Sequence, residues 1–285
     1  MASVCECSDN FVKINNSCVS IYQTKPKEIF LEYVLLGENY SVSFVVYDGF
    51  INYISEVPRS IYYSYEDNFS RADFKIKAIN EEEQRKLLMP LVIKIQNMTL
   101  NKEDQVRIAI SIVQNIPFGV SNKTLSFGKY EVNYSRYPYE VLYDMQGICG
   151  EKTDLLAFLL KEMGYGTAFF YYPLHNHEVL GVKCPIKESL AKSGYCFVET
   201  TGPSIITDDK IYYTNMGKLH SEPEIYLISE GESIGDKFYE YSDADKLIKI
   251  RDFIEENGWL GPVQKRTFEE IKEKYGLAEK YYGGW

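Results

Sequence analysis

The sequence predicts an α+β protein. Three observations carry that reading. Apolar and polar residues alternate through 30–47, helical spacing of apolar residues begins after Asn80, and short apolar strands return after Gly164. At 285 residues the chain is long enough for a sizeable core, as one large domain or two modest ones.

The elements follow in order. Residues 1–20 form a Cys- and Asn-rich lead segment. Residues 29–79 read as β, with Val42, Phe44 and Val46 alternating against Ser41 and Ser43, and Asp48-Gly49 as a turn. Asn80 then stands as an N-cap, with Glu81, Glu82 and Glu83 after it, and helix is expected toward Ile95. Pro90 is expected to break or kink that helix. Asn101 opens a second helix in which Val106, Ala109, Ile110 and Val113 share a face, ending before Pro117. A third helix is expected over 149–163, with Leu155, Leu156, Leu159 and Met163 as its buried stripe and Gly164 as its cap. Strands are expected over 167–172, 178–183 and 195–200. The tail reads as helix over 243–256 and 268–275, with Thr267 and Glu270 spaced as a capping box. The chain thus divides into a Cys-containing, β-rich flank (1–79), a core (80–240) and a helical extension (241–285).

Thirty-one Lys and Arg stand against 41 Asp and Glu, a net charge of −10. With no basic run, the chain is not expected to bind nucleic acid, which relies on clustered cations. No stretch is apolar for the 18 residues that a membrane span needs. Two features point outside the cytoplasm. Asn-x-Ser/Thr occurs at Asn15, Asn39, Asn68, Asn97, Asn122 and Asn133, and Cys5, Cys7 and Cys18 crowd the N-terminus. The start, running at once into Cys5, reads as trimmed, which leaves room for a membrane anchor on a segment absent from this chain.

The chemistry is sought among six cysteines and three histidines. Three histidines exclude a multi-histidine metal cage. Gly147-Ile148-Cys149-Gly150 puts a thiol at a helix N-terminus, where free N–H groups and the helix dipole favour the nucleophilic thiolate. An isolated Cys is more often a small core residue, so the neighbours matter. His177 opens an apolar strand and can face a cleft. His175, two residues earlier, points the same way if the strand extends back. His220 lies in a polar stretch and reads as surface. Glu199 ends the next apolar strand, where a carboxylate is costly unless paired, and an imidazole on the neighbouring strand would pair it.

Cys at a helix start, His at a strand start and a carboxylate at the next strand end is an order that resembles the transglutaminase-like superfamily of papain-like thiol enzymes. The residues that carry the resemblance are GICGEKTDLLAFLLKEMGY, HEVLGV and YCFVETTGP, with IVQNIPF like the helix that introduces the core. It covers about residues 80–205. It implies a papain-like fold, a helix bearing Cys packed on an antiparallel sheet, and a Cys149–His177–Glu199 triad, with Glu where family members usually carry Asp. It also implies an oxyanion hole made by the Cys149 N–H and an upstream donor, for which Gln146 and Tyr143 are within chain reach. The implied reaction is acyl transfer to the thiol, giving a thioester, with no cofactor and no metal. Compact prokaryotic members resemble hydrolases, so a peptidase or amidase acting on a protein or peptide is expected. The alternatives are a transglutaminase-type cross-linking enzyme and a cell-surface binding module that keeps the fold without turnover.

Cys184 and Cys196 would lie on the strands carrying His177 and Glu199, so a disulfide between them is geometrically open if those strands pair. One more bridge is open among Cys5, Cys7 and Cys18. Zinc on Cys5, Cys7 and Cys18 fits no common structural spacing. No glycine-rich phosphate loop follows a strand.

Overall fold

The computed structural model describes residues 7–15, 17–60, 70–127, 130–214 and 216–279. The chain opens with hairpins β1 (Phe11–Ile14)–β2 (Ser17–Ser20) and β3 (Pro26–Leu35)–β4 (Glu38–Tyr47). Helices α1 (Asp48–Glu56), α2 (Arg71–Ile79), α3 (Glu82–Met98) and α4 (Lys102–Asn115) follow. A third hairpin, β5 (Thr124–Phe127)–β6 (Tyr130–Asn133), leads to α5 (Pro138–Asp144) and α6 (Cys149–Glu162). Then come β7 (Thr167–Tyr172), β8 (His177–Lys183), β9 (Tyr195–Val198) and β10 (Glu224–Ser229), and finally α7 (Tyr239–Asn257) and α8 (Pro262–Tyr275). The fold is α+β, with every strand pair antiparallel among the described residues.

The four-stranded sheet runs β10-β7-β8-β9. Both faces are covered over β7 and β8, which explains why those strands read as nearly unbroken apolar runs, whereas the edge strand β10 is largely exposed. Phe169, Leu180, Val182 and Val198 face the main core with α6. Phe170, Tyr172, Val179 and Phe197 face away, under Leu190, Tyr195, Ile211 and Leu219. Helix α6 is buried all round from Glu151 to Leu160, the signature of a helix at the centre of a core rather than on its surface.

The β3–β4 hairpin contributes Ile29, Leu31, Tyr33, Val42, Phe44 and Val46 to that same core. Alternation put these residues on one face, and Leu36 (φ 55°) and Gly37 (φ 86°) close the two-residue turn with positive φ at both positions. At the other end of the chain, α7 and α8 enclose a smaller core of Leu247, Ile250, Phe268 and Ile271 that also takes in Ile205.

Several expectations are corrected. Residues 48–56 and 71–79 are helical, not β. Asp48-Gly49 starts α1, whose Phe50 and Ile54, four apart, are buried. Gly49 is required there because a β-carbon would come within 2.1 Å of the Ile21 carbonyl oxygen. Asn80 closes α2, and the Glu81 side chain caps α3 by accepting from Gln84 N–H. Helix α3 continues through Pro90, which lies on its exposed face, where the carbonyl freed by the missing N–H meets water. Thr267 and Glu270 lie inside α8, which starts at Pro262, a residue suited to the first helical position. Strand β9 ends at Val198, so Glu199 begins the loop. Helix α5, strand β10 and the β5–β6 hairpin were not anticipated.

Two disulfides are present, Cys7–Cys18 and Cys184–Cys196. The second ties the end of β8 to β9, whose register pairs Val182 with Cys196. The first leaves Cys7 and Cys18 without thiolates for zinc. Cys5 and the Asn68 acceptor site lie outside the described residues. The other acceptor asparagines, Asn15, Asn39, Asn97, Asn122 and Asn133, are all exposed. Disulfides persist in oxidising compartments, so the chain fits an extracytoplasmic environment. Among the described residues no helix is long and apolar enough to cross a membrane.

Replacing Cys184 and Cys196 together by Ala should lower unfolding free energy by about 2–4 kcal/mol, mainly by freeing the unfolded chain. Urea titration with Cys7–Cys18 intact checks this; an unchanged midpoint would show that the bridge contributes nothing.

Candidate active site

Cys149 is the first residue of α6, and its thiol is free and partly exposed. The turn before it is fixed by Glu151, whose carboxylate accepts from Ile148 N–H (3.0 Å), Arg136 N–H (2.8 Å) and the Arg136 guanidinium (3.0 Å). Parallel bridging of Phe118 with Gly147 seats the same turn on the loop that follows α4.

His177 is buried at the start of β8. Alternation along β8 puts it on the side of Val179, opposite Glu178 and Leu180. Glu199 follows Val198, and by the same alternation it shares the side of Phe197 and so of His177. The pair sits diagonally across the β8–β9 ladder, and His177 Nε2 lies 2.9 Å from Glu199 Oε2. The thiol of Cys149 lies near enough to His177 to favour its charged form. Nε2 is engaged by Glu199, which leaves Nδ1 for the thiol.

Every oxygen of Glu199 is occupied. Oε1 accepts from Thr200 N–H (2.8 Å), Thr201 N–H (2.7 Å) and the Thr201 hydroxyl (2.7 Å). Oε2 accepts from His177 and from the Tyr213 hydroxyl. Tyr213 also sets its ring edge-on to His177, with centroids 4.8 Å apart. Burial alone would raise the Glu199 pKa, but these donors and the imidazolium charge hold it at about 2. Burial would likewise strip the proton from His177, yet its hydrogen bonds to Cys149 and Glu199, with the Glu199 charge, raise its pKa to about 10. The pair is therefore imidazolium and carboxylate at neutral pH.

Helix α6 also supplies a buried cation. Lys152 has no exposed surface, and its ammonium donates to the carbonyls of Ile116 (2.5 Å) and Gln114 (3.3 Å) at the end of α4. Burial lowers its pKa to about 8, against the pull of Glu199. Gln114 in turn donates its side-chain amide to the Glu199 backbone carbonyl (2.9 Å) and to Ser204. Helix α4 thus links the thiol helix to the turn that carries the acid. Helix α2 closes the other flank. Lys75 bridges Asp154 (2.9 Å), Glu178 (2.6 Å) and the Gly150 carbonyl (3.1 Å), and Arg71 reaches Glu178 (3.1 Å).

Of the residues expected at the site, Cys149, His177 and Glu199 come together. His175 does not join them. It ends the 3-10 turn Pro173–His175, and Asn176 (φ 44°) reverses the chain before β8, so the strand does not extend back to it. Tyr143 is turned to the N-terminal hairpins, its hydroxyl donating to Asp48 (2.7 Å) and its ring under the Lys27 ammonium. The Gln146 side chain packs on Gly119, where a β-carbon would come within 2.5 Å of Oε1. Tyr213, Gln114, Lys152, Lys75, Asp154 and Glu178 were not anticipated. Lys152 and Asp154 carried a signal, since charges on a helix so rich in apolar residues must be buried and paired. Tyr213, one of 25 tyrosines, in a polar loop, carried none.

No protein-family model, curated protein or solved structure matches the chain. What the geometry defines is a thiol–imidazole–carboxylate site on an α+β fold.

The two pKa shifts set a pH window. His177 binds its proton more tightly in the folded chain, so its contribution to stability is full below about pH 6.5 and is lost as pH rises toward about 10. Glu199 holds its proton less tightly when folded, so its contribution is full above about pH 4.5 and is lost as pH falls toward about 2. The stability gap between wild type and His177→Gln should therefore be largest at pH 4.5–6.5 and narrow steadily toward pH 10. Denaturant titrations across that range check it; a gap constant with pH would contradict it.

Proposed function

We propose that this protein is a thiol acyl-transfer enzyme that works through a Cys149–His177–Glu199 triad, as a peptidase or amidase on a protein or peptide substrate. The observation that carries the proposal is a free thiol at the start of α6 beside the His177 ring, which is itself hydrogen-bonded to a fully satisfied Glu199. The order of the three residues, the α+β fold and the antiparallel sheet fit the resemblance to the transglutaminase-like superfamily. The two disulfides favour an extracytoplasmic site of action.

In this reading the Cys149 thiolate attacks a carbonyl carbon and forms a C–S bond. The oxyanion takes the Cys149 N–H, a free donor in the first turn of α6. Protonated Nδ1 of His177 gives its proton to the leaving nitrogen as the C–N bond breaks. Water then attacks the thioester, Nδ1 takes its proton, and the C–S bond breaks to release the acid. Glu199 holds the ring orientation and balances the imidazolium charge, without itself taking the proton. The extra methylene of Glu relative to Asp is accommodated because Glu199 stands just beyond β9 and turns its carboxylate back onto the N–H groups of Thr200 and Thr201.

At neutral pH iodoacetamide should alkylate Cys149 in the native protein, and His177→Ala should slow that labelling by at least about tenfold. Mass spectrometry of the labelled peptide decides it, and a labelling rate unchanged by His177→Ala would sink the reading. On a panel of peptide, amide and glutamine–amine substrates, turnover should vanish in Cys149→Ala. Glu199→Gln should cost on the order of 10²–10⁴-fold in kcat. Product analysis then separates hydrolysis from transfer to an amine, and turnover that survives Cys149→Ala would refute the triad.

A further inference from the structure

The buried charges around Cys149 pair off, except for Lys152. The buried guanidinium groups of Arg107 and Arg136 each hold carboxylates. Lys152, with no exposed surface, has no such partner among the described residues, and its ammonium meets only the carbonyls of Ile116 (2.5 Å) and Gln114 (3.3 Å). Burial disfavours the charge of a lysine, so a core lysine without a counter-ion costs stability. Its neighbours are already matched. On α2, Lys75 and Arg71 hold Asp154 and Glu178. Glu151 and the exposed Asp144 share Arg136, and Glu140 holds Arg59. Residues 112–115, the last turn of α4, carry no charge. The His177 imidazolium cancels the Glu199 carboxylate, whose other side-chain donors are the neutral hydroxyls of Tyr213 and Thr201. One positive charge is left over, and an anion at Cys149 would cancel it: the thiolate before attack, the oxyanion at its N–H after it.

We propose, resting on the triad reading above, that Lys152 is a positioning residue whose buried charge favours an anion at Cys149 and whose hydrogen bonds hold the turn before Cys149 against the end of α4. Its placement suits both tasks. Cys149 and Lys152 stand three apart on α6, so their side chains are neighbours on one face of the helix. The Lys152 stem lies against the turn, where a β-carbon on Gly147 would come within 3.1 Å of Cγ. Ile116, whose carbonyl it caps, leads into the run that pairs with that turn: Gly147 N–H donates to the Pro117 carbonyl and Gly119 N–H to the Gly147 carbonyl, both at 3.2 Å. One ammonium thus braces the end of α4 and the turn that presents the Cys149 N–H. Its charge is not permanent. Burial lowers the Lys152 pKa to about 8, so the charge is present at neutral pH and is lost as pH rises through that value.

The test follows iodoacetamide labelling of Cys149 in the full chain, read by mass spectrometry of its peptide, for wild type, Lys152→Met and Lys152→Arg. Met puts an apolar group of similar length in place of the ammonium, and Arg stays charged to about pH 12. Below pH 7 wild type should label at least about tenfold faster than Lys152→Met. That ratio should fall by at least about threefold through a step near pH 8 as Lys152 loses its proton. The ratio of Lys152→Arg to Lys152→Met should show no such step. Lys152→Gln, neutral but still a donor to the carbonyls, replaces Lys152→Met if that variant does not fold. A wild type no faster than the neutral variant, or a ratio that stays flat with pH as a purely structural lysine requires, would overturn the proposal. The His177→Ala labelling separates the two failures: labelling that ignores His177 removes the triad and this role with it, whereas labelling that needs His177 but shows no step near pH 8 defeats the role of Lys152 alone.

Discussion

One buried carboxylate organises the site. Glu199 has lost its water, and isolated ionised carboxylates cannot be held in an apolar interior. It is tolerated because two backbone N–H groups, a threonine hydroxyl, a tyrosine hydroxyl and an imidazole all donate to it. Each donor comes at a structural cost elsewhere. The N–H donors require the chain to leave β9 at Val198 and turn at once. The Tyr213 donor requires the loop after Ile206 to fold back over the sheet. The imidazole donor requires β8 and β9 to pair in one register, and the Cys184–Cys196 bridge holds that register beside the site.

The same constraint recurs on α6. A helix buried on all sides is the stiffest mount available for a nucleophile, but this one carries Glu151, Lys152 and Asp154 inward. Each is met by a partner from a different element: Arg136 before α5, the carbonyls at the end of α4, and Lys75 on α2. Breaking such a pair leaves an uncompensated charge, which costs far more than an exposed pair contributes. These contacts therefore hold the surrounding helices at fixed positions about the Cys149 turn. Stability and site geometry rest on the same buried groups.

The thiol and the imidazole have complementary surroundings. Cys149 is partly exposed at a helix N-terminus, open to a reactant. His177 is buried behind it and kept charged by Glu199. A proton on the inner group and access at the outer one is the arrangement that nucleophilic catalysis needs.

Much of this was legible in the residues. Local periodicity and caps placed α4, α6, β7 and β8, because those segments carry strong patterns that their surroundings reinforce. The order of Cys149, His177 and Glu199 along helix start, strand start and strand end was enough to select them. Other features failed for physical reasons. The helices over 48–56 and 71–79 are short, and their burial comes from neighbours rather than from a long amphipathic stripe. Pro90 reads as a breaker until packing shows it on a wet face. Tyr143 is within chain reach of Cys149, but chain reach says nothing of direction, and its hydroxyl points to Asp48. Tyr213 and Gln114 depend on contacts between distant segments. The sequence by itself determined the α+β class and singled out Cys149, His177 and Glu199 as candidates, because both follow from residue types at short, regular spacing. Only the tertiary structure decided which groups satisfy Glu199, because desolvated polar atoms take whichever partners the packed chain brings within about 3 Å.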